Sequence, residues 1–595
     1  MKKYKFFALA FAALTLGACS SDDVVDSGQP GTVPAGEPGY VSLAINLPTQ
    51  PSSRANDNFD DGLPVEYQVE DATLLLFSGA NEADATFASA YNLDVTGFST
   101  NDPADDQITS KATLVQEITV PATTSTEHIY ALVVLNDNGL INVSSGTATL
   151  NDGTSLAGMT FKALTEETQT LTGSSALTAN GFFMSNAPLY SVAGGTVNPE
   201  NGSVTTLAEI DKNKIHPTQA EASSDPAANI YVERAVAKVT VNATEGDQSV
   251  SDGNPLLASY NVAGWAFNVA NTKTFVVRNV APATPWWQYT NEDVTDYRFV
   301  GSSPVAKGLY RTYWGIDPNY DQAYDASDFI MMSGKELDNE TLYGFGENHP
   351  GYCLENTFNV ANQINDRTTQ VVVKAKLTID GAEDDGTFYT LNGNTSTVYQ
   401  ESGVISEVQR RVMEWLEANK ATYIKNGNIT GTSLDVVLSN AATDEGGVIS
   451  VTSATFADED VTGIEWQDGQ SLQSLNEAIA AQVTQINADL TISYYKGGYA
   501  YYPILVQHFG DTQTPWESDG SVGESYPDPN AEANWLGRYG VLRNNWYEIN
   551  VTGIKNIGSP SVPDVTNNYD DPENSYIAVT INVLSWAKRT QSADL

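Results

Sequence analysis

Four histidines, His128, His216, His349 and His508, are the only imidazoles in 595 residues, and no two stand at a spacing that would share one zinc ion. Metal catalysis has little to work with. The chain has no Gly-x-Ser-x-Gly elbow to expose a nucleophile, no Gly-x-x-x-x-Gly-Lys loop to cradle phosphates, and no dinucleotide fingerprint. The acidic stretches Asp57 to Asp61 and Glu383-Asp384-Asp385 lack the ligand spacing of a calcium loop and read as solvated turns. Among 74 Asp and Glu residues, spacing alone assigns no carboxylate pair to glycoside hydrolysis. Cys353, without a partnered histidine, reads as a buried, inert thiol. Pro285-Trp286-Trp287 offers aromatic faces on which a sugar could stack, the plainer reading being core packing. These residues point away from an enzyme, and they call for no metal and no other cofactor.

A second kind of chemistry is done to the chain rather than by it. Lys2, Lys3 and Lys5 precede an apolar run from Phe6 to Leu16, which is too short to span a bilayer and has the layout of a secretory signal. The run ends in Leu16-Gly17-Ala18-Cys19, similar to the lipobox of bacterial lipoproteins, in which the Cys19 thiol would carry the lipid. A tether rich in Pro and Gly follows, up to Gly39. With Cys19 acylated, Cys353 has no partner for an intrachain disulfide. Arg54 is the first arginine of the chain, the next being Arg234, and it closes the polar segment after Pro48 and Pro51. Such a segment is expected to be an exposed loop that a protease can draw into its cleft, which makes the bond from Arg54 to Ala55 a candidate cut.

The elements on either side of that loop give the cut its meaning. Val41, Leu43, Ile45 and Leu47 alternate with Ser42, Ala44 and Asn46, the period of a half-buried strand. The same alternation returns near the C-terminus in Ile577, Val579, Ile581 and Val583, interleaved with Ala578, Thr580 and Asn582. A subunit that loses the first strand could accept the second from a neighbour, which is assembly by strand addition. Four buried aliphatic side chains are worth roughly 1.5–3 kcal/mol each, before any ladder hydrogen bonds.

The remainder of the chain reads as mainly β. Lys and Arg number 29 against those 74 acids, a net charge of −45 that repels nucleic acid and anionic surfaces, so no nucleic-acid partner is expected. Strands are expected at Ala72 to Phe77, Ala112 to Val120, His128 to Leu135 (closed by Asn136-Asp137-Asn138-Gly139) and Tyr231 to Val241. A first domain then spans 55–247 and a second 248–595, after a signal peptide and lipobox at 1–19 and a propeptide at 20–54. Val404, Val408, Val412, Trp415 and Leu416 follow a helical period, as do Leu472, Leu475, Ile479, Val483 and Ile486, each set preceded by serine.

Several of these motifs in order, namely the lipobox, the first strand with Arg54, Phe183-Met184-Ser185, Arg234-Ala-Val-Ala-Lys-Val239 and Val583-Leu-Ser-Trp586, resemble lipoprotein-derived (type V) fimbrial shaft subunits, the fimbrillins. Gly264-Trp265-Ala266, Asp317-Pro318-Asn319-Tyr320, Cys353-Leu-Glu-Asn-Thr357 and Arg543-Asn-Asn-Trp-Tyr-Glu-Ile549 look closer to the minor-fimbrium branch. The resemblance implies two transthyretin-like β-sandwich domains, the second with added short helices. It implies an outer-membrane lipoprotein precursor, cut after Arg54 by an arginine-specific protease, and a structural subunit that polymerises with identical copies by donor-strand exchange. The displaced strand would be Val41, Leu43, Ile45 and Leu47, and the donor Ile577, Val579, Ile581 and Val583. Anchor and tip subunits and a host or bacterial surface receptor would be further partners of a cell-surface fimbrium serving adhesion and biofilm formation. The alternatives are a monomeric glycan-binding lipoprotein held at Cys19 and a non-shaft anchor or tip member of the same family.

Overall fold

The computed structural model describes residues 33–48, 62–100, 108–171, 173–192, 202–280, 309–312, 315–338, 342–359, 362–440, 445–508, 538–568, 577–584 and 589–592. Cys19, Arg54, Ala55, Trp286 and Trp287 lie outside them. The fold is mainly β.

The first unit is built on a nine-stranded sheet. Its longer members are β1 (Pro38–Pro48), β2 (Ala72–Gly79), β3 (Thr86–Leu93), β4 (Ile108–Thr119), β5 (His128–Leu135), β6 (Met184–Asn186) and β7 (Ala228–Arg234), in the spatial order β3-β2-β5-β6-β7-β1-β4. β5 is buried on both faces, as its unbroken apolar run requires. It closes at Asn136, Asn138 and Gly139, all at positive φ, where Asn and Gly are the residues tolerated. β1, β2, β4, β5 and β7 all contribute to one hydrophobic core.

Only Ala235 separates β7 from β8 (Val236–Ala243), yet β7 pairs in the first sheet and β8 in the second. The strand expected from Tyr231 to Val241 is therefore split, and residues 236–243 build the second unit, ahead of the expected boundary at 247. The second unit continues with β9 (Leu257–Asn268), β10 (Gly351–Leu354), β11 (Gln370–Ile379), β12 (Tyr499–Leu505), β13 (Trp546–Ile554), β14 (Ile577–Leu584) and β15 (Arg589–Ser592). One sheet runs β10-β8-β13-β14-β15, the other Gln248–Ser249 then β9-β11-β12. Val239, Val241, Tyr547 and Ile549 from the first share a core with Val371, Val373, Tyr502 and Ile504 from the second, so the two sheets pack as a sandwich.

Three helices matter to the argument. α1 (Pro64–Tyr67) is a single turn; α2 (Glu401–Tyr423) has 23 residues and α3 (Leu472–Asp489) has 18, more than the short helices expected. Val404, Val408, Val412 and Leu416 of α2, and Leu475, Ile479, Val483 and Ile486 of α3, are buried in a separate core with small sheets of their own, whereas Trp415 and Leu472 sit at its margin. Ser471 caps α3 by accepting from the Ser474 N–H (3.2 Å). Ser402 lies inside α2 instead, and the Glu383 carboxylate accepts the Glu401 N–H (3.0 Å) from outside the helix. Among the described residues no helix is long and apolar enough to cross a membrane.

Candidate functional site

β1 does not lie at a sheet edge. It runs antiparallel to β4, with Leu43 opposite Leu114 and Ile45 opposite Ala112, and parallel to β7, with Leu43 opposite Ala228 and Ile45 opposite Ile230. Val41, Leu43 and Ile45 are fully buried and Leu47 is 1% exposed. The period-two alternation seats all four on the core face, and the register breaks between Leu47 and Pro48, where proline can no longer supply a ladder donor. Taking this strand out would leave β4 and β7 facing each other across an empty strand position, each with a row of unpaired backbone groups.

The opposite face of β1 is enclosed at Ser42 and Asn46. Ser42 is fully buried and its hydroxyl has no hydrogen-bond partner, while the Ala227 N–H donates to the Ser42 carbonyl (2.8 Å). The Asn46 side-chain amide donates to the carbonyls of Ala44 and Ile230, each at 3.2 Å, tying β1 to β7 by a side chain as well as by the ladder. At the start of the strand, the Tyr40 hydroxyl donates to Glu117 on β4 (3.2 Å).

The second alternating stretch belongs to the second unit. β14 pairs antiparallel with β13 from Ile577 opposite Ile554 to Leu584 opposite Trp546. β15 covers its outer side only from Thr580 to Val583. The stretch Ile577, Val579, Ile581 and Val583 thus belongs to a C-terminal hairpin near the rim of its sheet, with β15 outermost.

Between the two units lies a cluster of charges that sequence reasoning did not assemble. Lys238 on β8 pairs with Glu66 on α1 at 2.8 Å, both side chains at most 1% exposed. The Tyr352 hydroxyl donates to the same carboxylate (2.6 Å), and Arg234 Nε donates to the Glu66 carbonyl (2.6 Å). Lys238 Nζ also lies 3.8 Å from the centre of the Trp546 ring. Alongside, Glu355 takes Arg278 and Arg543, each at 3.2 Å, and Arg278 reaches Glu233 at 3.3 Å. Asp317 accepts the backbone N–H groups of Thr357 (2.7 Å) and Asn319 (2.6 Å), yet burial outweighs these bonds and holds its carboxyl up to about 8. The signal for this cluster was present in the sequence as cations set inside apolar runs: Arg234 between Val232 and Val236, and Lys238 between Ala237 and Val239.

The groups weighed for catalysis are kept apart. His128 meets Glu209 at the surface (2.5 Å), and His508 is buried against the Tyr547 hydroxyl (2.8 Å). Burial pushes the Cys353 thiol far up, which makes it a poor nucleophile. Among the described residues no group of three His, Cys, Asp or Glu is positioned to hold a metal ion. Of the two acidic stretches, Asp57 to Asp61 lie outside the described residues, while Glu383 caps α2 and Asp385 accepts from Thr387 (2.8 Å), both turn-forming roles. What the geometry offers is mechanical: a core strand joined to the remainder of the chain through one segment, and a matching strand at the far end.

Comparison with known proteins bears on that far end. Residues 493–592 match the family model described as major fimbrial subunit protein type IV, fimbrillin, C-terminal. The fimbrillin-like region takes in β12 to β15, and with them the hairpin strand and Arg543. Among solved structures, a fimbrilin from Porphyromonas gingivalis is 14% identical over 93% of this chain and 99% of its own, with a TM-score of 0.35. A candidate cell adhesion protein from Bacteroides eggerthii is 12% identical over 95% and 100%, with a TM-score of 0.34. The tip fimbrial protein of P. gingivalis, truncated at its C-terminus, is 10% identical over 92% and 100%, with a TM-score of 0.27. Overlays this loose carry no argument, so the fold rests on its own strand pairing. No curated protein matches the chain.

Proposed function

We propose that this chain is the shaft subunit of a surface fimbria, made as a lipoprotein precursor acylated at Cys19, cut between Arg54 and Ala55, and polymerised by strand exchange between identical copies. The observation that carries the reading is the position of β1, a central strand with its four core-facing side chains buried, whose only covalent link to the remainder of the subunit is the segment containing Arg54. While β1 is attached it fills its own slot and no neighbour can enter. Once the link is cut, β1 becomes a dissociable segment and the slot between β4 and β7 is open to competition. The aliphatic stretch Ile577, Val579, Ile581 and Val583 of a second copy is the competitor, and the match of 493–592 to a fimbrillin C-terminal model supports that choice.

Trimming also leaves an anchored turn downstream of the cut. Glu66 lies a dozen residues beyond Arg54 and is held between Lys238 and Tyr352, so release of β1 need not unravel the chain beyond the cut. The mature subunit, residues 55–595, would leave the outer membrane and join a filament with anchor and tip subunits that serves adhesion and biofilm formation. Purified precursor treated with an arginine-specific protease should start at Ala55 and form filaments that resist SDS until heated. Arg54→Ala precursor should remain monomeric under the same treatment. Filaments from uncut Arg54→Ala protein would overturn the reading.

A further inference from the structure

The incoming strand has to choose a direction and a register, and the slot holds enough chemistry to make both choices. Tyr40-Val-Ser-Leu-Ala-Ile-Asn-Leu47 and Tyr576-Ile-Ala-Val-Thr-Ile-Asn-Val583 correspond position by position: an aliphatic residue at every core-facing place, and tyrosine, isoleucine and asparagine identical at the first, sixth and seventh. The asparagine is the informative residue. In β1 it is Asn46, 7% exposed, whose amide bonds the Ile230 carbonyl across to β7. An aliphatic stripe alone slides by two residues without penalty, because every second position is equivalent. A buried amide that must reach a carbonyl on the neighbouring strand does not.

We propose that the segment Ile577–Val583 of a second copy enters the slot with the polarity of β1, parallel to β7 and antiparallel to β4, and that Asn582 fixes the register by taking the place of Asn46. This rests on the strand-exchange reading and adds to it a direction and an alignment. Ile577, Val579, Ile581 and Val583 then replace Val41, Leu43, Ile45 and Leu47. Entering backwards, with the same four core positions filled, would bring Asn582 to the place of Ser42. That place is fully closed, and the hydroxyl already there finds no partner, so a larger amide would be both crowded and unsatisfied. A slide of two residues puts Asn582 at Ala44 or Pro48, away from the Ile230 carbonyl. In the proposed alignment Ala578 replaces Ser42, and the orphaned hydroxyl disappears. The donor thus relieves the one unsatisfied hydroxyl of the strand it displaces, while Val579 and Val583 fill the places of Leu43 and Leu47 less fully.

Cysteine pairs read the alignment. Ser42 lies opposite Val115 on β4, and Asn46 opposite Lys111. Filaments of the mature Ala578→Cys/Val115→Cys variant, oxidised and boiled in SDS without reductant, should give a covalent ladder, and Ala578→Cys/Lys111→Cys filaments should give monomer. A ladder from the Lys111 pair instead would leave strand exchange standing and overturn the polarity. Filaments that give no ladder with either pair would overturn the proposed alignment, and strand exchange in this slot falls as well if Ala578→Cys gives none with Thr113→Cys or Glu117→Cys, the positions a two-residue slide would place opposite it. A synthetic peptide of residues 576–584 with cysteine at 578, offered to the trimmed Val115→Cys subunit, asks the same question without needing assembly and is read the same way. Asn582→Ala filaments should fall to monomer in SDS at a lower temperature than Thr580→Ala filaments; equal temperatures would remove Asn582 as the register device.

Discussion

Glu66 and Lys238 form a buried ion pair at 2.8 Å that joins the turn after the first strand to the strand opening the second unit. The pair is enclosed by Tyr352, by the Trp546 ring and by Arg234, which donates to the Glu66 carbonyl. Two charges held out of water in this way gain little overall, but each depends on the other. Lys238→Met should therefore cost about 3–5 kcal/mol, because it strands the Glu66 carboxylate, and Glu66→Gln should cost a similar amount by stranding the ammonium. The double variant should recover most of the loss. Urea unfolding of the four proteins gives the coupling directly, and additive losses would show that the two side chains act separately.

On the proposed strand exchange, Leu43 distinguishes the precursor from the polymer. It is fully buried at the centre of β1, so Leu43→Ala should destabilise the precursor by about 2–5 kcal/mol, the cost of an emptied core position. On the proposed exchange, a filament built from trimmed subunits no longer contains β1, and its dissociation temperature in SDS should be unchanged. Thermal unfolding of the precursor and heat dissociation of the filament together check this. A filament weakened as much as the precursor would mean that the first strand stays in place.

How far the sequence announced these features depended on the range of the interactions. β1 was legible because its alternation is unbroken over seven residues and each face has a single character, as was β5, whose apolar run ends in Asn and Gly at positive φ. The stretch from Tyr231 to Val241 was misleading because the chain changes sheets at Ala235; before it, Val232 packs in the first core, and after it Val239 and Val241 pack in the second. No local pattern records such a handover. The junction charges were harder still, since Glu66 meets Tyr352 across 286 positions and Arg234 meets Asn544 across 310. The motifs that carried the family resemblance, around Arg234, Glu355 and Arg543, turn out to meet at this junction. The cap of α2 was missed for the same reason: its acceptor, Glu383, comes from a turn 18 residues upstream.

Asp317 makes the second unit sensitive to pH. Burial holds its carboxyl up to about 8 in the folded chain, against ~4 when unfolded. The folded state therefore binds the proton more tightly, and between those two values it carries more protons than the unfolded chain. Stability from this group is fully present below pH ~4 and is lost as pH rises toward 8, opposite in sign to that of an ordinary salt-bridged carboxylate. Urea midpoints measured from pH 5 to pH 8 should fall on this account, and Asp317→Asn should flatten that part of the profile. A profile unchanged by the substitution would show that the carboxyl is ionised throughout.

The helical insert should be separable from assembly. Ile479 on α3 is fully buried in a core made by α2, α3 and their small sheets, and none of the residues lining the β1 slot belongs to that core. Ile479→Ala should cost about 2–5 kcal/mol. Because the affected contacts are local, the loss should appear first as opening of residues 387–494, within which the members of this core fall. Limited proteolysis of the variant should cut within that span while filaments still form from trimmed subunits at the wild-type rate. Assembly slowed in step with the opening of the insert would show that the helices and the slot unfold as one cooperative body, and that the insert helps hold the slot in shape for the incoming strand.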